Sequence, residues 1–346
     1  MNSDLSSQQV KDIGEQGLLE RLQRFCPPEI IGDDAAVLVT APEQSLVVTT
    51  DVLVDGVHFS NVTTSAEDAG WRAAAANLSD LAAMGASPLG ITVGLGLPGE
   101  VRVSWVERLY QGMTECLQKY NTSIVGGDIV RSPITTLAIT AFGQVNPSQI
   151  IRRSAAAVGD AIVVTGVHGA SRAGLELLLH PELGQDLNDA ERTALILAHQ
   201  RPQPRLDVLP ILQKILTPNS QLLTSNYRLP IAGMDSSDGL ADAIIQICRA
   251  SGVGAVLERR QISIPAAFGH WLTQQALEYA LYGGEDFELV LCLPQESASA
   301  LVQHLDKGAA IVGKITPGLT VVLHDEQKKF PDQVLSLSQG FQHFGQ

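Results

Sequence analysis

The spacing of apolar and polar residues divides the chain into segments typical of strands and helices. Short β-branched runs predict strands at residues 45–50, 89–97 and 135–145. Between these runs, longer stretches predict helices at residues 66–84 and 103–120. We therefore expect the first half of the chain to be mixed α/β.

A second set of elements begins near residue 150. The segment IIRRSAAAVGDAIVVTG contains a glycine turn that leads into a β-branched strand, and the helix-like segment GASRAGLELLL follows it. Residues 184–206 predict a helix followed by a surface connection. A further helix is expected at residues 238–250, with strands at 253–258 and 287–293.

The chain length predicts two domains. A chain of 346 residues is longer than one hydrophobic core usually serves, and we expect domains at residues 1–149 and 150–346. The content of 45% hydrophobic residues and 31 glycines is typical of a globular protein with many tight turns.

The charge of the chain makes nucleic acid a poor partner. The 23 basic and 37 acidic residues give a net charge of 23 − 37 = −14, and no basic run is present that could follow a phosphate backbone. An acidic protein can still bind phosphate groups when metal ions invert the local charge.

Cysteine usage and the apolar runs indicate the compartment. Cys26, Cys116, Cys248 and Cys292 are widely scattered without a Cys-x-x-Cys pair, so we expect buried thiols rather than a zinc site or disulfides. The polar start MNSDLSSQQVKD lacks the pattern of a signal peptide, and no run of 18 apolar residues occurs. We expect a cytoplasmic protein that does not bind membranes.

The aspartates are concentrated in five clusters, which we expect in small-residue turns at the ends of apolar runs or, in one case, inside a helix. These clusters are Gly32-Asp33-Asp34, Thr49-Thr50-Asp51, Asn77-Leu78-Ser79-Asp80, Gly126-Gly127-Asp128 and Asp235-Ser236-Ser237-Asp238-Gly239. Carboxylates in apolar surroundings need a positive partner, yet Lys11 is the only lysine before residue 119. Oxygen ligands without lysine suit hard cations, above all Mg²⁺ shared with substrate phosphates.

Each cluster also has a purely structural interpretation. Asp235, Ser236 and Ser237 could cap the helix that follows them. Asp33 and Asp34 could simply form a turn. The Asp80 side chain is harder to explain in this way, since it lies within AAAANLSDLAAMGA.

Familiar nucleotide-binding and hydrolase motifs are missing. The chain has no G-x-x-x-x-G-K-[ST], no G-x-S-x-G and no His-x-x-x-His. Gly94, Gly96 and Gly99 spell G-x-G-x-x-G, but Pro98 interrupts the motif and a dinucleotide site is not expected.

The motifs GDDAAVL, TTDVLVDGVHF, NLSDLAAMGA, GGDIVRS, DSSDGL and YGGEDFEL, taken in order, resemble those of thiamine-monophosphate kinases. The resemblance covers nearly the whole chain. It implies the two-domain α/β architecture of the superfamily that includes aminoimidazole ribonucleotide synthetase, with mixed or antiparallel sheets flanked by helices. It also implies a homodimer, an N-terminal domain for ATP, Mg²⁺ and dimerisation, and a C-terminal domain that completes the nucleotide and substrate site.

The same resemblance assigns roles to individual residues. The ligands of several Mg²⁺ ions would be Asp33 or Asp34, with Asp34 favoured, together with Thr49, Thr50, Asp51, Asp80, Asp128, Asp235 and Asp238. The ATP contacts would be Tyr110, Gly127, Asp128, Arg153 and Ser237. Thiamine monophosphate would contact His58, Glu285 and Phe341.

These contacts have structural alternatives as well. His58 could be an ordinary core or surface histidine. Arg152 and Arg153 could be solvated charges, and Phe341 could serve packing alone. Glu285 and Asp286 could end a turn before the strand that follows them.

The expected reaction is phosphorylation of thiamine monophosphate by ATP, giving thiamine diphosphate. The acceptor is already a phosphate anion, so no general base is needed, and Asp51 and Asp128 are expected to be the most critical residues. Two rivals are a sister activity such as the ring closure of aminoimidazole ribonucleotide synthetase and a non-catalytic Mg²⁺–nucleotide-binding protein. The TTD and GGED motifs disfavour the first, and the number of ligands disfavours the second.

Overall fold

A computed structural model describes residues 8–28, 38–216, 231–272, 275–305 and 308–340. The chain forms two compact units: unit 1 consists of Met1–Leu81 and Ala86–Val145, and unit 2 of Ala82–Gly85 and Asn146–Gln346. The predicted fold class, mixed α/β with helices flanking mixed and antiparallel sheets, is confirmed.

Unit 1 is built on a four-stranded sheet in the order β1-β4-β2-β3. Strand β4 pairs antiparallel with both β1 and β2, whereas β2 and β3 are parallel. Buried and half-buried residues alternate along β4, so one face of the sheet packs against the helices. The helices and strands up to residue 145 are α1 Val10–Leu22, β1 Ser45–Val54, α2 Ala66–Ala83, β2 Ser87–Leu97, α3 Val103–Lys119, β3 Ile124–Arg131 and β4 Thr136–Val145.

Two glycines allow helices α2 and α3 to lie in contact without side chains between them. A Cβ atom at Gly70 of α2 would lie 1.9 Å from the carbonyl oxygen of Leu109, and one at Gly112 of α3 would lie 1.8 Å from that of Glu67. The backbones therefore approach more closely than any larger residue permits. This contact sets the position of α2, which carries Asn77 and Asp80.

Unit 2 is built on a seven-stranded sheet in the order β11-β10-β7-β9-β5-β8-β6. Among its described strands, β10 and β7 are parallel and the other neighbouring pairs are antiparallel. Strands β5, β6 and β8 are buried along their whole length, as their continuous apolar runs require. Its helices and strands are β5 Ala161–Val164, α4 Ala170–Leu179, α5 Asp189–Gln200, α6 Val208–Leu216, β6 Ala232–Asp235, α7 Leu240–Ser251, β7 Gly254–Glu258, α8 Ala276–Tyr282, β8 Leu289–Leu293, α9 Gln295–His304, β9 Ala310–Thr316, β10 Val321–His324 and β11 Gln333–Val334.

Two of the expected turns are in fact strands. Strand β1 does not end before Asp51 but continues to Val54, because the β-branched residues of TTDVLV extend it. Asp128 lies within β3, and a Cβ atom at Gly127 would lie 2.3 Å from the carbonyl oxygen of Val93. Gly127 is therefore needed for a close contact between strands β2 and β3. The sequence alone suggested a turn at this position.

All four cysteines are free thiols, and Cys116, Cys248 and Cys292 are buried as expected, while Cys26 is half-buried. Among the described helices, none combines the length and apolar character that crossing a membrane requires.

We predict that Gly112→Ala lowers the free energy of unfolding by about 1–3 kcal/mol, because the new methyl group must push α3 away from α2. Urea unfolding followed by circular dichroism measures the change. Gly269→Ala is the matched control, since a Cβ atom there meets no atom within 4 Å. Equal midpoints for the two variants would show that the helix contact is not tight.

Candidate functional site

One face of strand β1 holds two of the predicted residues under helix α2, which carries a third. Alternation along the strand places Thr49 and Asp51 on the same face. The Thr49 hydroxyl donates a short hydrogen bond to the Asp80 carboxylate, and Asn77 Oδ1 accepts the Asp51 backbone N–H at 3.2 Å. Asn77 is fully buried and donates in turn to the carbonyl oxygen of Ala73. The structure thus brings Thr49, Asp51 and Asp80 together.

The turn after β1 positions His58. Its Nδ1 accepts the backbone N–H of Val54 at 3.1 Å, while the backbone N–H of His58 donates to the Val54 carbonyl oxygen. The buried Arg72 guanidinium donates to the carbonyl oxygen of His58. Because Nδ1 accepts this bond, the ring proton lies on Nε2. The hydrogen bond from Val54, the last residue of β1, orients the imidazole ring. This fixed orientation disfavours the interpretation of His58 as an ordinary surface histidine.

Thr50 and Asp128 lie on the opposite face of the sheet. Thr50 pairs with Thr140, and their hydroxyls are 2.9 Å apart. Asp128 is paired through Gly94 and Ala138 with Val52, and residues paired across a sheet share a face. The Asp128 side chain is exposed and accepts the backbone N–H of Ile129.

The predicted carboxylates of unit 1 that the structure describes therefore form no single ligand set. Asp51 is on the helix-covered face of β1, whereas Asp128 is on the other face of β3, three strand spacings or about 14 Å away. One ion cannot contact both side chains in this chain. Within the described ranges, no group of three or more His, Cys, Asp or Glu side chains is arranged to hold a metal ion.

Tyr110 has little surface left for a ligand. It is buried in α3, and its ring packs against Phe25 with centroids 5.8 Å apart. Burial raises the pKa of its hydroxyl, and Cys26 adds to this effect. Its expected role as an ATP contact stays a prediction.

In unit 2, the Asp235–Gly239 turn joins strand β6 to helix α7. The N-cap residue of α7 is Gly239, which has no side chain, so none of Asp235, Ser236 and Ser237 occupies the N-cap position. Ser237 Oγ donates instead to Asp235 Oδ1 at 3.0 Å, and Ser236 Oγ lies 3.0 Å from His168 Nε2. His168 is fully buried, and this burial lowers its pKa to about 4, so the ring is neutral.

Asp242 was not singled out by sequence, although it lies one helical turn after Asp238. The two carboxylates line a small cavity of about 40 Å³ together with Tyr282. Burial raises the pKa of Asp242, and Asp238 raises it further, while Arg153 favours its charged form. The backbone of Arg153 is held at the end of α7, since Ser251 Oγ donates to its carbonyl oxygen at 2.8 Å. In the sequence, the spacing of four residues between Asp238 and Asp242 was the pattern that could have indicated their proximity.

The GGED turn presents Glu285 under backbone strain. Gly284, Glu285 and Phe287 all have φ between +53° and +69°, a backbone region that residues other than glycine rarely adopt. The Glu285 N–H donates to the Ser237 carbonyl oxygen at 2.6 Å, and Phe287 is buried. These contacts hold the strained turn next to the Asp235–Gly239 turn.

Asp286 ties the same turn to helix α4. Its carboxylate accepts the backbone N–H groups of Gly169 at 2.7 Å and Ser171 at 3.0 Å. Burial raises the pKa of Asp286 to about 7, against the opposing effect of these two N–H donors. Glu285 and Asp286 lie in the connection between α8 and β8, before the strand as the sequence suggested. That prediction omits the contact of Asp286 with a helix distant in sequence.

Asp33, Asp34 and Phe341 lie outside the described residues. Their assignments, and the choice between Asp33 and Asp34, stay predictions.

Comparison with known proteins identifies the family. The model for "AIR synthase related protein, N-terminal domain" matches residues 32–145, and its C-terminal counterpart matches residues 157–326. A thiamine-monophosphate kinase of Synechococcus elongatus is 51% identical over 341 residues, covering 98% of this chain and 99% of that protein. This chain belongs to the thiamine-monophosphate kinase family.

Solved structures of the kinase family agree with this result. Thiamine-monophosphate kinase from Stenotrophomonas maltophilia is 32% identical with a TM-score of 0.73, and the match covers 90% of this chain and 95% of that one. AaThiL complexed with AMPPCP and TMP is 31% identical with a TM-score of 0.70, covering 94% and 98%. The expected assignment to a phosphotransferase family is confirmed, and the chain is an enzyme of that class.

Proposed function

We propose that this thiamine-monophosphate kinase transfers the γ-phosphoryl group of ATP directly to the phosphate of thiamine monophosphate, giving thiamine diphosphate and ADP. The relative complexed with AMPPCP and TMP supports both substrates. The observation in this chain that carries the proposal is the hydrogen bond from Thr49 to Asp80, with Asp51 on the same face of β1 and bonded through its backbone to Asn77 of the same helix.

The ligands fit Mg²⁺. Thr49, Asp51 and Asp80 offer only oxygen atoms, and Mg²⁺ is usually held by one or two carboxylates and substrate phosphates rather than by a complete protein cage. Thr50 and Asp128, on the other sheet face, and Asp235 and Asp238, in unit 2, would hold further ions. Bound Mg²⁺ would offset the repulsion between the phosphates and stabilise charge on the transferred group.

The residues of the chain would bind and orient the two substrates. In unit 2, Arg153 and Ser237 would contact ATP, and in unit 1 Gly127 and Asp128 would do so. His58 Nε2 and the Glu285 carboxylate would contact thiamine monophosphate, Glu285 being suited to its cationic ring system. Because the acceptor phosphate is already an anion, none of these residues has to remove a proton, and alignment is the main contribution of the protein.

A homodimer is proposed from the exposed face of the unit 1 sheet. Leu46, Val48 and Val52 on β1 are about half exposed, at 53%, 52% and 47%, and Val130 on β3 is similarly exposed. Exposed apolar side chains on one face of a sheet favour an interaction site there. We also propose a cytoplasmic location, which the four free thiols and the use of ATP support.

The chain should phosphorylate thiamine monophosphate and leave thiamine almost untouched, because thiamine lacks the phosphate that the metal ions and Arg153 would hold. Chromatography of products from both acceptors tests this.

Chiral [γ-¹⁶O,¹⁷O,¹⁸O]ATP should show inversion of configuration at phosphorus, since one in-line displacement inverts it. Equal phosphorylation of thiamine, or retention at phosphorus, would contradict the mechanism. ADP release only with the substrate of AIR synthase would favour the sister activity.

Millimolar Mg²⁺ should raise the thermal midpoint of the wild type, and more so with ATP, because the ion binds only the folded protein.

Asp51→Asn should remove most of this shift and lower turnover by at least about a hundredfold. Asp128→Asn should act similarly on turnover. Asp186→Asn, in an exposed turn, is the control and should behave as wild type. Normal turnover of folded Asp51→Asn would exclude it from the metal site.

Sedimentation velocity should give about twice the chain mass of 36.8 kDa, because burial of the apolar sheet face favours association. Val48→Lys should yield monomers by placing a charge in that face. Val158→Lys changes an equally exposed valine of unit 2 and should leave the dimer intact. A monomeric wild type, or a dimeric Val48→Lys variant, would refute this interface.

A further inference from the structure

Helix α5 brings a buried histidine to the proposed substrate-binding carboxylate. His199 lies in the last turn of α5, with its side chain only 3% exposed. Its Nδ1 is 3.6 Å from Glu285 Oε2 and 3.3 Å from Ser171 Oγ. The Glu285 side chain is 34% exposed, so one part of it faces the histidine while the rest reaches solvent.

The histidine is held in a rigid position. Helices α4 and α5 lie in close contact, since a Cβ atom at Gly174 would be 2.0 Å from the carbonyl oxygen of Leu195 and 3.1 Å from His199 Cβ. Ser171, which contacts the ring through its hydroxyl, is fixed by the bond from its backbone N–H to Asp286. The ring therefore has little freedom to move relative to the GGED turn.

The backbone of Glu285 is fixed on both sides of its side chain. Its N–H donates to the Ser237 carbonyl oxygen, and the carboxylate of the next residue, Asp286, is anchored at the start of α4. The Nδ1 to Oε2 distance of 3.6 Å is slightly longer than a hydrogen bond. A small rotation of the partly exposed side chain would close that gap.

We propose that His199 is a positioning residue that orients the Glu285 carboxylate for binding the phosphate acceptor. The inference rests on the proposed function, in which Glu285 contacts thiamine monophosphate. By holding Oε2, the imidazole sets the plane of the carboxylate, so less order has to be gained when the acceptor binds. His199 does not touch the reacting atoms.

Kinetics should show an effect on one substrate only. His199→Leu should raise the KM for thiamine monophosphate about tenfold or more, because the Glu285 carboxylate loses the group that orients it, and change the KM for ATP by less than about twofold. His199→Asn keeps an N–H near the δ position and should recover most of the loss. His270→Asn is the matched control, since His270 lies 3.5 Å from Glu191 in a pair outside the proposed site.

A structural readout separates this inference from the proposed function. In long-range ¹H–¹⁵N spectra of histidine-labelled protein, the His199 signal is the one that disappears in His199→Asn. It should move in Glu285→Gln and on addition of thiamine monophosphate to wild type, but not in His270→Asn. This spectrum remains informative if His199→Leu is too unstable for kinetics.

The possible outcomes are distinct. A wild type that does not phosphorylate thiamine monophosphate refutes the proposed function. An active wild type whose His199 signal ignores Glu285→Gln, or whose His199→Leu variant shifts both KM values equally, refutes the positioning role. A selective rise in the acceptor KM, rescued by His199→Asn, supports it.

Discussion

Both units depend on the same constraint: a carboxylate removed from water needs hydrogen bonds or a cation to stay charged. In unit 1 the Thr49 hydroxyl meets Asp80, and in unit 2 the N–H groups of Gly169 and Ser171 meet Asp286. Arg205 meets the buried Glu288 at 2.7 Å, where it opposes the rise in pKa that burial causes. The sites differ in how completely the protein supplies these partners. At Asp51, Asp80, Asp128, Asp235 and Asp238 we propose that metal ions complete the set.

Much of the fold could be predicted because periodicity reports burial directly. The strands at residues 89–97 and 135–145 and the helices at 66–84 and 103–120 lie within a few residues of β2, β4, α2 and α3. Strand β3 was missed, since Gly126 and Gly127 suggest a turn when tertiary contacts are unknown. The 2.3 Å approach to Val93 gives the physical reason for glycine there, and such a contact leaves no local pattern.

The candidate site was predictable as a set of residues but not as an arrangement. Motifs identified Thr49, Asp51 and Asp80, which the structure brings together. The position of Asp128 on the other sheet face depends on strand order, which a single sequence does not contain. His199 was missed for a related reason: it lies 86 residues before Glu285, in a charged segment that suggested only a helix and a surface connection. Long-range contacts of this kind arise from helix packing, here through Gly174.

The alternation of β1 has a consequence for insertions and deletions in the gene. The side chains of Thr49 and Asp51 lie on the helix-covered face, whereas those of Thr50 and Val52 lie on the other face. Function therefore depends on which residues of this ten-residue strand occupy odd and even positions. One residue gained or lost within Ser45–Asp51 would exchange the two faces, placing Val52 under Asn77 and a carboxylate in the apolar surface. The same change in the exposed turn before α5 would alter only a loop. Strand β1 should therefore tolerate substitution far better than any change in its length.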